Sequence, residues 1–215
     1  METRTQALCL RTTDYGESSK ILTLFSAELG KIGAQVRSVK CPKSKLKQCA
    51  QPMCFGEYIL HKKGDFYTVT GCTVEDSFFN VWSDVHKYSS SQIILEALDR
   101  LSEPSVPEAQ NLVLAVRLLE EINYSGIFPY VYATHFLIKL LPQQGINVDE
   151  EELPLKVARL FSAYNNANVE DLETLELSLN DVIQTLNYVN LIYRDRIGEK
   201  FNSVVESLKI LNALQ

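Results

Sequence analysis

The chain has 215 residues, 46% of them apolar, with a formal net charge of −6. That length suits one large domain or two small ones, and that composition buries a real core, which excludes a disordered chain. No stretch approaches the roughly 18 to 20 uninterrupted apolar residues of a membrane helix, and Met1 to Thr5, carrying Glu2 and Arg4, lead directly into a structured pattern; no membrane contact and a cytoplasmic location are expected.

The charge is unevenly placed. Residues 1–82 carry +3 and the remainder −9, and the segment from Lys31 to Lys63 alone carries +7, with Glu57 its single acid. Such a segment is either a lysine-rich solvated loop or a surface for a polyanion. The cysteines, Cys9, Cys41, Cys49, Cys54 and Cys72, lie in the first third of the chain without a C-x-x-C pair. Neither a disulfide framework nor a zinc ribbon follows; reduced structural thiols are expected, with a metal site or a redox role as the alternative.

The N-terminal part reads as short strands. Leu8 and Leu10 alternate with Cys9 and Arg11, a period of two that sends the leucines inward and Arg11 outward. Asp14, Gly16 and Ser18 supply turn chemistry before an apolar strand from Lys20 to Phe25. Ile32, Ala34 and Val36 share one face of the next strand, so Gln35 and Arg37 share the other. A polar connection from Lys40 to Pro52 leads to strands Phe55 to His61 and Phe66 to Glu75, joined by the turn Lys62-Lys63-Gly64-Asp65. In the last strand Tyr67 and Val69 alternate with Thr68 and Thr70. Five strands with the longest connection between the third and fourth match an OB-fold, although an SH3-like barrel also fits the periodicity.

From about Trp82 the period becomes helical. Ile93, Ile94, Leu95, Leu98 and Leu101 form an amphipathic segment stopped by Pro104. Ser105 and Glu108 are spaced as a capping box, with Pro107 in the first turn of a helix that runs through Leu112, Val116 and Leu119 toward Gly126. Tyr130 to Leu141 is apolar nearly all round and predicts a central helix, stopped by Pro142 and Gly145. Further helices are predicted near Leu153 to Tyr164, from a cap at Asn180 or Asp181 to about Ile197, and over Phe201 to Leu214. The three histidines, His61, His86 and His135, are far apart and in no metal or triad motif, and the acids lie mostly on helices, so an enzyme is not expected.

Ala7-Leu8-Cys9-Leu10-Arg11, then Asp14-Tyr15-Gly16-Glu17-Ser18, Thr23-Leu24-Phe25 and Gly30-Lys31, is similar in order and spacing to the start of RecO proteins. Lys43-Ser44-Lys45-Leu46 with Gln51-Pro52, and more faintly Ile197-Gly198-Glu199-Lys200 and Ser207-Leu208, extend the resemblance over most of the chain. It implies an α+β protein with a five-stranded OB-fold β-barrel at residues 1–80 and an all-α helical domain at 81–215. The implied role is that of a non-enzymatic DNA repair and recombination mediator, nucleoid-associated. Such a mediator binds and anneals single-stranded DNA, holds duplex DNA more weakly, associates with RecR, and remodels single-strand-binding protein so that recombinase loads.

Many RecO proteins carry a four-cysteine zinc site after the central helix. Here Leu141 to Ile146 runs into Asp149, Glu150, Glu151 and Glu152 without a cysteine, so neither zinc nor any other cofactor is expected. The acidic run reads as a solvated helix start.

A strand-holding role needs a charged groove and faces on which bases stack. Arg11, Arg37, Lys40, Lys43, Lys45 and Lys47 are the candidate phosphate contacts; Ser44 either donates to a phosphate or caps a short helix in the connection. Four or five such contacts would give a log–log salt slope of about −3. Phe25, Tyr58 and Tyr67 are either stacking platforms or core. Arg117, by resemblance, pairs with the acidic C-terminal tail of single-strand-binding protein; the alternative is a surface arginine with a packed stem. A barrel that binds only protein, an adaptor, is the competing reading of the whole chain.

Overall fold

The computed structural model describes residues 2–64 and 66–213. Five strands, β1 (Glu2–Tyr15), β2 (Ser19–Ser26), β3 (Gly30–Val36), β4 (Phe55–Lys63) and β5 (Phe66–Asp76), close a barrel in the order β1-β2-β3-β5-β4. All neighbours are antiparallel except β3 and β5, which pair in parallel through Ala34–Tyr67 and Gln35–Thr68. The parallel closure is the OB-fold topology and decides against the SH3-like alternative. The Asp65 assigned to the β4–β5 turn lies outside the described residues.

The barrel is filled by Ala7, Cys9, Leu22, Leu24, Ile32, Ala34, Val36, Tyr58, Leu60 and Val69. In β1 this corrects the expected phase: Ala7 and Cys9 face the interior, while Leu8 and Leu10 are buried on the other side. Strict alternation would then carry Arg11 inward with Cys9. A bulge between Cys9 and Arg11 resets the register, so that Arg11 stands opposite Thr23 and is exposed. Residues 98–116 belong to the barrel's compact unit. Asp99 pairs with Arg11 at 2.7 Å, and Ser105 N donates to Lys31 O at 3.0 Å. Gly30 is the hinge of this docking: its φ is +66°, and a Cβ there would collide with the Val106 backbone.

The expected capping box is absent. Ser105, at φ 61°, is a turn residue bonded to β3, and Glu108 instead accepts from Ser102 and Asn111 side chains. The connection before β4 forms turns, with no helix for Ser44 to cap; its Oγ accepts from Leu46 N at 3.4 Å.

Six α-helices follow the barrel among the described residues: α1 (Val85–Leu101), α2 (Ala109–Tyr124), α3 (Tyr130–Leu140), α4 (Leu155–Asn166), α5 (Leu179–Ile197) and α6 (Asn202–Asn212). The second compact unit comprises residues 80–97 and 117 onward. Its centre is α3, on which every residue but Lys139 is buried and which packs against α4 and α5, as its all-round apolar sequence requires. Two of its buried polar groups are satisfied locally: Tyr193 OH donates to Leu137 O at 2.8 Å, and His135 Nδ1 lies 3.0 Å from Tyr164 O.

The cap of α5 is Ser178 rather than Asn180 or Asp181; Asp181 is the third helical residue and completes a reciprocal capping box. Asp149 caps a 3-10 turn over Glu150–Glu152 ahead of α4, so the acidic run is a turn of its own. Leu214, assigned to the last helix, lies outside the described residues. No helix among the described residues is long and apolar enough to cross a membrane.

Candidate nucleic-acid interface

On the outer face of the barrel, the residues that alternate away from the core form a groove of about 540 Å³. Its floor is β3, where Gly33 presents bare backbone: a Cβ there would meet nothing within 4 Å. Its walls are Tyr15 and Ile21 on one side and Phe66 and Thr68 on the other, with Arg37 and Lys63 at the rim. Tyr15 is 54% and Phe66 78% exposed, although both are large apolar rings. Rings left open beside cations on a sheet face can stack unpaired bases while the cations hold the backbone phosphates.

The sequence-predicted cations divide into three groups. Arg37 stands in this groove and, like Lys63, makes no ion pair among the described residues. Lys40 and Arg11 are instead neutralised within the barrel unit: Lys40 pairs with Asp14 at 2.8 Å, and Arg11 pairs with Asp99. The hydrogen bond from Lys40 holds the Asp14 carboxyl below the usual carboxylate range.

Lys43, Lys45 and Lys47 are exposed and make no ion pair among the described residues, but Lys45 lines a different groove, with Glu75 and Asp76 at the far end of β5. An eleven-residue strand separates the two ends, roughly 30 Å at the usual rise. Arg37 and Lys45 therefore line different grooves. Ser44 is half-buried in its turn.

Two of the three candidate stacking rings are core. Phe25 and Tyr58 are fully buried, and Tyr58 OH donates to Cys49 O at 2.8 Å. Tyr67 packs against the core cluster, with Lys62 Nζ 5.4 Å from its ring centroid. The exposed rings are Tyr15 and Phe66, which the sequence reading passed over. The signal was available: if Tyr67 alternates inward, Phe66 must point out.

On the helical unit Arg117 is paired with Glu170, in an acidic setting. Burial, then the neighbouring Glu173, raises the Glu121 carboxyl, and Glu120 and Glu170 add to that field. An acidic tail seated at Arg117 would have to displace Glu170 and face these carboxylates. Among the described residues no group of three or more His, Cys, Asp or Glu side chains is placed to hold a metal ion.

Residues 1–78 match the family model described as "Recombination protein O N terminal". The DNA repair protein RecO of Desulfitobacterium hafniense (strain DSM 10664 / DCB-2) is 37% identical over 108 residues, which cover 50% of this chain and 40% of that relative. That of Bacillus cereus (strain AH187) is 30% identical over 145 residues, 66% of this chain and 57% of the relative, and that of Bacillus anthracis (strain CDC 684 / NRRL 3495) gives the same figures. The chain thus spans about half the length of the curated relatives it matches. With a closed barrel of OB topology over the matched residues and related sequences extending beyond it, the chain is similar to RecO proteins from its first strand into its helical region.

Proposed function

We propose that this protein acts in DNA repair and recombination by holding single-stranded DNA along the outer face of its barrel. The observation that carries this reading is the groove in which exposed Tyr15 and Phe66 flank bare backbone at Gly33, with unpaired Arg37 and Lys63 at the rim. A single strand offers both unpaired bases and a phosphate track to such a surface; a duplex hides its base faces, so duplex binding is weaker. The finer role proposed from the family is strand annealing and recombinase loading together with RecR and single-strand-binding protein.

The test is anisotropy titration of a fluorescent oligonucleotide against two charge-reversed variants. Arg37→Glu with Lys63→Glu is expected to weaken binding at least about tenfold while the thermal melt is unchanged, since both side chains are solvated and unpaired. Lys43→Glu with Lys45→Glu and Lys47→Glu measures whether the strand also reaches the connection. The salt slope separates the cases: about −1.4 if only the two rim cations meet phosphates, about −3.5 if all five do. Wild-type affinity in both variants would sink the proposal and favour a protein-binding adaptor.

A further inference from the structure

Four of the five thiols meet at one end of the barrel. Cys9, Cys49 and Cys54 are buried in its core, and Cys72 is half-buried against them, whereas Cys41 is exposed. The end of the connection is pinned there: Met53 N donates to Cys9 O at 2.8 Å, and Cys9 N donates to Cys54 O at 2.9 Å. Cys72 stands opposite Tyr58 in the β4–β5 register, and Tyr58 OH holds the Cys49 carbonyl.

Within this group Cys49 and Cys72 are a distinct pair. Both line the solvent-open groove of about 350 Å³ that also holds Lys45 and Gln48. Cys49 belongs to the buried cluster against which Cys72 packs, one reached from the connection and one from β5. Cys9 and Cys54 are different: burial pushes the Cys9 thiol far up and Cys54 up to about 11, so both stay protonated and unreactive.

We propose that Cys49 and Cys72 are a peroxide-sensitive dithiol that closes to an intramolecular disulfide, stapling the lysine-bearing connection to β5. Two thiols that share one packed cluster and one groove are placed to bond without a large rearrangement of the backbone. The first sulfur of the pair to ionise is the attacking one. Its thiolate attacks one oxygen of hydrogen peroxide; an S–O bond forms, the O–O bond breaks, and the departing hydroxide takes a proton to become water. The second sulfur then attacks that sulfenic acid; the S–S bond forms, the S–O bond breaks, and the second hydroxide leaves as water with the second thiol's proton. Two thiols lose two electrons in all, and one peroxide gains them.

The inference is independent of what the outer groove binds. It is tested on the full chain carrying Cys41→Ser, which removes the exposed thiol, by counting thiols in denaturant after peroxide treatment. The four remaining thiols should fall to two, with the intact mass reduced by two hydrogens and both changes reversed by dithiothreitol. Adding Cys49→Ala or Cys72→Ala should prevent the disulfide and cost at most one of the three remaining thiols, as a sulfenic acid that adds one oxygen to the mass, whereas adding Cys54→Ala should leave one of three. The half-buried Cys72 position keeps the test open if Cys49→Ala does not fold. Four thiols surviving peroxide, or two lost in the absence of Cys72, would overturn the proposal.

Discussion

The two units of this chain handle charge in opposite ways. On the barrel unit Arg37, Lys43, Lys45, Lys47 and Lys63 make no ion pair among the described residues, and the rings of Tyr15 and Phe66 stand open to solvent. On the helical unit Arg117, Lys156 and Arg196 each meet an acid, Glu170, Asp181 and Glu152 respectively. The barrel's solvated cations keep little to lose when a phosphate replaces water, whereas the helical unit's cations would first have to give up a partner. A net charge of −6 therefore says nothing about where a polyanion binds; the unpaired cations do.

The units also differ in what holds them together, and the largest expected effect probes that. Gly30→Ala puts a Cβ into the Val106 backbone at a positive φ, and we expect a loss of about 3 kcal/mol or more in a denaturant titration, with earlier melting of the barrel. An unchanged midpoint would mean that the docking of residues 98–116 on β3 contributes little.

The helical unit's counterpart is acid sensitivity through His135. Burial holds its imidazole down to about 4 from an ordinary 6.5, with Nδ1 at the Tyr164 carbonyl. The folded-state value is depressed, so below pH 6.5 the unfolded chain takes up a proton that the folded chain refuses. Stability is therefore full above 6.5 and is lost progressively as pH falls toward 4, by about 3 kcal/mol in all. Melts at pH 7 and pH 5 read this slope, and His135→Gln should flatten it.

Smaller, and on the barrel alone, Tyr15→Ala and Phe66→Ala should each weaken oligonucleotide binding by about 1 to 3 kcal/mol without shifting the melt, because neither ring is core. Equal affinity would leave the groove with phosphate contacts only. The smallest effect concerns Arg117. Glu170→Gln removes an exposed pair and should change stability by less than about 1 kcal/mol. If Arg117 serves an acidic partner peptide, the same substitution should tighten that peptide in calorimetry.

Much of the barrel was legible from period-two alternation. Ile32, Ala34 and Val36 point inward as their spacing requires, and Arg37 lies outside, because β3 runs without a bulge. The same rule misplaced Leu8 and Leu10, since the β1 strand is covered on its outer side and carries a bulge that local spacing does not announce. It also located too many site residues: Lys40 and Arg11 look like free cations in the sequence, yet Asp14 and Asp99 neutralise them across 26 and 88 positions of chain.

Local chemistry by itself determined the five strands, the central buried helix over Tyr130–Leu140 and the basic character of the first region, because each depends on side-chain periodicity within a few residues. Only the tertiary structure decided which cations remain unpaired among the described residues, which aromatic rings face solvent, and which of five thiols share a groove. Those properties depend on strand register, a bulge and the parallel β3–β5 closure, which bring together residues far apart in sequence.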